Sequence, residues 1–203
     1  MSDSYSGSDF SGIVNVKSDG SAAQELDRAA KLLAGIPGGI EKAAYAALTR
    51  AASSGRASAA REVNMQYTLK TADFKKYTKS YQHVRRSAGE ISVGIEFRGY
   101  HIPLIRFDSR LNLSGLYVEK VKRENSPGAL RHVFRAEMKS GHIGLFERYG
   151  KDSLPIGQLY GPSVPQMMSA NEKLPDAVGE QVRRTFEERM EHEIMAVMNG
   201  WHS

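Results

Sequence analysis

Apolar residues recur with helical spacing in the first third of the chain and again near its C-terminal end. This spacing predicts one helix over residues 21–35 and a second, alanine-rich helix over residues 39–67. Gly55 lies inside the second helix, where glycine weakens helical structure. A short helix is predicted to begin with Thr71 as its N-cap, and a last helix is predicted to begin near Pro175. The apolar stripe of the last helix contains Val178, Val182, Phe186, Met190, Ile194 and Val197.

Alternating apolar and polar residues, the spacing typical of strands, replace the helical spacing in the middle of the chain. They predict strands over residues 91–97, 100–107, 117–122, 130–138 and 142–148. A short edge strand is predicted over residues 13–16, and the polar residues 1–12 are expected to form a mobile arm because they bury little apolar surface. The pattern therefore predicts an α+β fold over residues 13–203, a single domain in which a mostly antiparallel sheet of about four to five strands is packed by two or three long helices.

Composition fits this picture of one folded domain. The chain has 203 residues, of which 40% are hydrophobic and 25% are charged, so it is long enough to bury a core. No run of about eighteen apolar residues is present, and no membrane partner is expected. The absence of cysteine excludes disulfides, thiolate metal ligands and cysteine nucleophiles.

Basic residues exceed acidic ones, which makes a polyanionic partner plausible. The formal net charge is +5. Six cations lie close together in the sequence: Lys70, Lys75, Lys76, Lys79, Arg85 and Arg86. A smaller cluster contains Lys120, Lys122 and Arg123. Contact with DNA is one interpretation, and a solvated face or an interface with an acidic protein is the other.

Catalytic and metal-binding motifs are incomplete in this sequence. His192 and Glu193 begin an HExxH pattern, but Ala196 stands where its second histidine belongs. His142 lies near Phe146 and Arg148 in the sequence, and a strand histidine bonded to a neighbouring loop explains it. We therefore predict no catalytic residues, no metal and no cofactor, and the chain is not expected to be an enzyme.

Residues 141–168 read GHIGLFERYGKDSLPIGQLYGPSVPQMM, and their order is more particular than a generic fold requires. A strand is predicted to run into a turn at residues 149–152. A second turn is predicted at residues 161–163, followed by a short helix with Ser163 as N-cap and Pro165 in its first turn. These 28 residues are called the tail segment below.

The tail segment resembles the signature of the minor tail protein Z family, the tail completion proteins of long-tailed bacteriophages. The matching residues are Gly141, His142, Gly144, Phe146, Arg148, Leu154, Pro155, Ile156, Leu159, Tyr160, Gly161, Pro162, Ser163, Val164 and Pro165. Residues 100–107, YHIPLIRF, resemble the family at a second place, where a glycine, an Ile-Pro-Leu and a phenylalanine recur. The resemblance covers roughly residues 13–198.

The resemblance implies a virion structural protein at the junction of tail and head, assembled in the cytoplasm of a bacterial host. Its expected partners are further copies in a hexameric homo-oligomeric ring, other tail and neck proteins, and DNA in the channel. The expected interface residues are Leu154, Pro155, Tyr160, Gly161, Pro162, Ser163 and Pro165. A purely local folding role is the alternative for each of them. The alternative function is a nucleic-acid-binding module that uses residues 70–86.

Overall fold

The computed structural model describes residues 10–16, 20–87, 90–171 and 173–201. The helices in these ranges are α1 (Gly20–Leu32), α2 (Gly39–Gln66), α3 (Thr71–Tyr77), α4 (Val164–Ser169) and α5 (Lys173–Met198). The strands are β1 (Phe10–Val16), β2 (Thr78–Ser87), β3 (Glu90–Gly99), β4 (Ile102–Pro103), β5 (Asp108–Leu111), β6 (Tyr117–Lys120), β7 (Gly128–Leu130), β8 (Val133–Glu137), β9 (Ile143–Arg148), β10 (Ile156–Gln158) and β11 (Tyr160–Gly161). The predicted α+β class is confirmed.

The prediction of one sheet with four to five strands is wrong. The strands of the described ranges form four small sheets, with the orders β1-β3-β2, β10-β9-β8, β11-β4 and β5-β6-β7. Pairing is antiparallel in the last three sheets. Strand β1 begins at Phe10, so it includes the last three residues of the predicted arm, while residues 1–9 lie outside the described residues. Strand β2 was not predicted, because its polar sequence lacks an alternating apolar pattern.

The strand predicted over residues 100–107 ends after two residues of β4. A 3-10 helix follows at Leu104–Arg106, and the hydroxyl of Ser109 donates a hydrogen bond to the Leu104 carbonyl at 2.8 Å. The buried apolar side chains here are Ile102, Leu104 and Phe107. Their spacing changes from two residues to three after Leu104, which a continuous strand does not allow.

Contacts group the chain into two compact units that are interleaved in sequence. The strand-rich unit contains residues 60–79 and 98–170 together with the start of β1. The helical unit contains residues 12–59, 80–97 and 171–203. The elements α2, β2 and β3 each contribute residues to both units. The single domain expected for residues 13–203 stays a prediction.

The helical unit is built around α5, and its predicted stripe is confirmed. All six predicted positions are buried, from Val178 to Val197. The helix α1 packs against α5, and Ala29 and Leu33 are buried, whereas Leu32 is exposed.

Gly55 does not interrupt α2, because the glycine is required by close packing. A Cβ atom at this position would stand 2.4 Å from Val182 Cγ2 and 2.6 Å from Ile95 Cδ1. No real Cβ atom tolerates these distances, so only glycine lets α2 approach α5 and β3 this closely. Packing thus outweighs the weak helix propensity of glycine.

The strand-rich unit has a separate core, which includes Ile102, Phe107, Leu145, Val164 and Met167. Its helix α3 buries Phe74, but the predicted Thr71 cap is wrong: Lys70 occupies the N-cap position and no side chain caps the helix.

Tyr67, at the end of α2, is buried in the strand-rich unit and bridges to Lys122. Burial raises the pKa of the Tyr67 hydroxyl above its ordinary value, although the charge of Lys122 partly opposes this change.

Candidate functional site

The tail segment divides into an exposed turn and a buried part. Strands β9 and β10 pair in antiparallel fashion, with Ile156 opposite Arg148, so residues 149–155 form the loop between them. We call residues 149–155 the exposed turn. Its side chains Tyr149 and Leu154 are 69% and 71% exposed, respectively. The exposed turn therefore offers apolar side chains to a partner.

Two parts of the tail segment are buried: the middle of β9, at residues 144–146, and a longer part that begins at Gly161. Gly161, Ser163 and Pro165 are buried, and a Cβ atom on Gly161 would stand 2.5 Å from Cε2 of Phe107. Strand β11 pairs with β4 through Gly161 and Ile102. The two stretches that resemble the tail protein family therefore contact each other directly.

Ser163 is the N-cap of α4, as the sequence predicted, and it forms a complete capping box with Gln166. The backbone N–H of Gln166 donates to Ser163 Oγ at 3.4 Å, and the backbone N–H of Ser163 donates to Gln166 Oε1 at 2.9 Å. Pro165 lies in the first turn, where its missing N–H leaves no bond unmade. The local folding role, which the sequence left open, explains Gly161, Ser163 and Pro165.

The remaining expected interface residues differ in exposure. Tyr160 and Pro162 are half-buried, and the Tyr160 hydroxyl donates to Gln158 Oε1 at 3.0 Å. Leu154 and Pro155 are exposed. These two residues are the members of the expected set that a partner can reach most freely.

Replacing Ser163 with alanine is expected to lower the free energy of unfolding by about 1 kcal/mol, the usual value of a lost N-cap. Urea-induced unfolding measures this change. The matched control is Ser169→Ala, because Ser169 lies at the exposed end of the same helix and donates only to the Gln166 carbonyl. Equal losses in both variants would contradict the assigned cap.

His142 lies just before β9 and is bonded to the strand β10, not to a loop as the sequence predicted. Its Nε2 atom lies 3.0 Å from Gln158 Oε1, the same oxygen that accepts from Tyr160. This contact ties the start of the tail segment to β10 and leaves the imidazole in a structural role.

The six cations predicted to act together do not lie in one unit. Lys70, Lys75, Lys76 and Lys79 are exposed on and beside α3, in the strand-rich unit. Arg85 and Arg86 lie on β2, in the helical unit, and their side chains are outside the described residues. In the second cluster, Lys122 pairs with Glu124 at 3.6 Å and Arg123 Nε donates to the Asn64 carbonyl at 2.7 Å.

The charge of the protein is concentrated in the strand-rich unit. Residues 60–79 and 98–170 contain 16 Lys and Arg and 8 Asp and Glu, a formal charge of +8. Residues 12–59, 80–97 and 171–203 contain 12 basic and 13 acidic residues, a formal charge of −1. The sequence did not reveal this asymmetry because the units are interleaved along the chain.

A second exposed apolar feature was missed by the sequence analysis. Strands β5 and β6 form a hairpin whose tip exposes Leu111, Leu113 and Leu116. Asn112 Oδ1 accepts from the backbone N–H groups of Ser114 at 3.0 Å and Leu116 at 2.8 Å. These bonds fix the shape of the tip, so the leucines are held in place. The sequence signal was three leucines in six residues, LNLSGL, between two strands.

A groove of about 730 Å³ lies between α2 and α5 in the helical unit, with Arg50, Thr49 and Thr185 in its lining. Thr185 Oγ1 donates to Ser54 Oγ at 3.0 Å. Arg50 Nε donates to Glu193 Oε1 at 2.9 Å, and the Glu193 side chain is 1% exposed. These contacts join the two helices, so the groove's polar groups have a structural explanation.

Two searches of the described residues concern other kinds of site. Within the four described ranges, no group of three or more His, Asp or Glu residues is placed to hold a metal ion. In the same part of the chain, no helix has the length and apolar character needed to cross a membrane.

Comparison of the chain with protein families, with curated proteins and with solved structures finds no match. The tail protein family therefore stays a proposal that rests on the residues themselves.

Proposed function

We propose that this chain is a tail completion protein of a long-tailed bacteriophage. Its copies form a ring, hexameric as the family resemblance implies, between the tail tube and the head connector. The function is assembly, and no reaction is catalysed. Repeated heterologous contacts that close by rotation produce such a ring.

One observation carries the proposal: the two stretches that resemble the family belong to one local structure. Gly161 of the tail segment packs on Phe107 and pairs across from Ile102 of the YHIPLIRF stretch. Buried glycine, serine and proline fix this part of the chain, while Tyr149 and Leu154 of the exposed turn stay accessible. A rigid base with an accessible apolar loop suits docking onto a neighbouring protein, because little ordering entropy is lost on binding.

Electron microscopy of tail tubes tests the proposal. Tubes assembled from a purified phage tail tube protein are incubated with the purified protein and imaged. We expect a cap of additional density at one end of each tube. Leu154→Ser in the exposed turn is expected to reduce the capped fraction, whereas Met65→Ser, at an exposed position of α2, is the matched control. Tubes with bare ends at saturating protein would contradict the proposal.

A nucleic-acid-binding module is the second candidate, and the charge of the strand-rich unit favours it. Its residues 60–79 and 98–170 carry a formal charge of +8, and Lys70, Lys75, Lys76 and Lys79 are exposed. Binding of a short DNA duplex by the isolated protein, falling steeply between low and moderate salt, would support this candidate. Binding that is absent at low salt would exclude it, and a solvated face would then explain the lysines.

A further inference from the structure

The two most apolar exposed surfaces of the described residues have complementary composition. The leucine tip is formed by Leu111, Leu113 and Leu116, and the exposed Arg110 precedes it. The second surface lies on the C-terminal half of α5, far along the sequence and in the other unit. Each surface groups several exposed apolar residues, whereas the exposed apolar residues that are normal on protein surfaces are scattered singly.

The α5 surface is a continuous face of one helix. Glu188, Glu191, Met195 and Met198 follow one another at intervals of three, four and three residues, so they share one side. All four are exposed, with Met195 at 53% and Met198 at 49%. Trp201 is 71% exposed, and its backbone N–H bonds to the Ala196 carbonyl at 2.9 Å, which holds it beside the helix end. We call these five residues the C-terminal face.

We propose that the leucine tip of one copy docks on the C-terminal face of the next copy. This inference rests on the proposed ring, and it names the contact between its subunits. Leucines would cover Met195, Met198 and Trp201, since flexible methionine side chains adapt to an irregular apolar partner. Arg110 would lie near Glu191.

Charge complementarity favours a second copy over other partners. The leucine tip belongs to the strand-rich unit, whose residues 60–79 and 98–170 carry a formal charge of +8. The C-terminal face contains two carboxylates and no cation. Among the described residues, Glu191 pairs with Arg28 at 3.7 Å and Glu188 pairs with Arg184 at 3.6 Å, in both cases across two exposed side chains. Such exposed pairs are weak and exchange partners at little cost.

The geometry of the contact also suits a ring. The two surfaces are different patches of the same chain, so each copy offers one patch to each of two neighbours. The tip is preorganised by Asn112, and the face is part of a 26-residue helix. Neither surface needs to fold on binding, which preserves affinity.

Cysteine cross-linking tests this contact, and the chain contains no native cysteine to interfere. Leu113→Cys and Met198→Cys are made in separate chains, mixed and oxidised, so any heterodimer joins two molecules. We expect at least about tenfold more cross-linked dimer in this mixture than in either variant alone. In the matched control, Met65→Cys takes the place of Met198→Cys. Met65 is another exposed methionine on a helix.

The outcomes separate this inference from the proposed function. Cross-linking in the Leu113 and Met198 mixture alone supports the contact. Cross-linking equal to the Met65 control, in a protein that light scattering shows to be oligomeric, overturns the contact and leaves the ring intact. A dimer formed by Leu113→Cys alone would show tip-to-tip pairing and would also overturn it. A monomer that never cross-links, alone or on tail tubes, contradicts both proposals.

Self-association of a further variant gives an independent measurement. Leu113→Ser is expected to weaken the association of copies by about tenfold or more, because a leucine loses its buried surface. The variant should keep its unfolding midpoint, since Leu113 makes no buried contact in the single chain. Unchanged association would overturn the inference.

Discussion

Replacing Gly161 with valine is expected to lower the free energy of unfolding by about 3 kcal/mol, at the upper end of the usual effect of overpacking. A Cβ atom at this position would stand 2.5, 3.0 and 3.1 Å from three ring carbons of Phe107. The Phe107 ring is buried and has no free space to enter. Urea-induced unfolding measures the loss. We expect a lower urea midpoint and an unchanged dependence of the unfolding free energy on urea concentration.

Gly150→Val is the matched control for this substitution, in the exposed turn of the same tail segment. A Cβ atom on Gly150 meets nothing within 4 Å, and neither glycine has left-handed backbone geometry. The two variants therefore differ in available space alone, and Gly150→Val is expected to change stability by less than about 0.5 kcal/mol. A Gly161→Val protein as stable as this control would show that the tail segment does not pack on Phe107.

Replacing Arg50 with methionine is expected to lower the free energy of unfolding by about 2 kcal/mol, because it removes a half-exposed partner of a buried carboxylate. The Glu193 carboxylate accepts a hydrogen bond from Arg50 Nε at 2.9 Å, and its side chain is 1% exposed. Without the guanidinium, the carboxylate keeps its desolvation penalty and loses this hydrogen bond. Urea-induced unfolding of the purified protein measures the change.

Two further variants identify the cause of this loss. In Arg50→Met/Glu193→Leu both charges are absent, and most of the stability should return, because apolar replacements of a buried pair are often neutral. Arg56→Met on the same helix is the control, since Arg56 bonds only to the exposed Ser53 hydroxyl at 2.8 Å. If the double variant is as unstable as Arg50→Met, the lost stability comes from the packing of the methylene groups of the arginine side chain.

Features with local causes could be predicted from the sequence. Ser163 and Gln166 stand at the spacing of a capping box, and α4 begins there. The stripe of α5 depends only on its own period, and every predicted position is buried. The strand β9 and the turn after it follow from alternation and from turn residues in the same way.

Features that depend on distant residues could not be predicted. The role of Gly161 is set by Phe107, which lies more than fifty residues earlier. The burial of Glu193 depends on Arg50, and the continuity of α2 at Gly55 depends on Val182 and Ile95. Local propensity carries no information about these pairings.

The division of the strands into four small sheets is a third such feature. Each sheet is fixed by pairings, such as β11 with β4, that cross long stretches of chain. Alternation predicts that a strand exists and which face is apolar, but it does not choose the partner strand. The separation of charge between the two units follows from the same pairings, and it was hidden in the sequence for that reason.

The central claim is that this protein acts by assembling copies of itself. The most direct test is the mass of the purified protein by light scattering, over a range of concentrations, alone and with tail tubes. We expect one closed oligomer of defined mass, formed by the free protein or on the tube. A protein that keeps the monomer mass of 22.4 kDa at every concentration, and that does not bind the tubes, would contradict it.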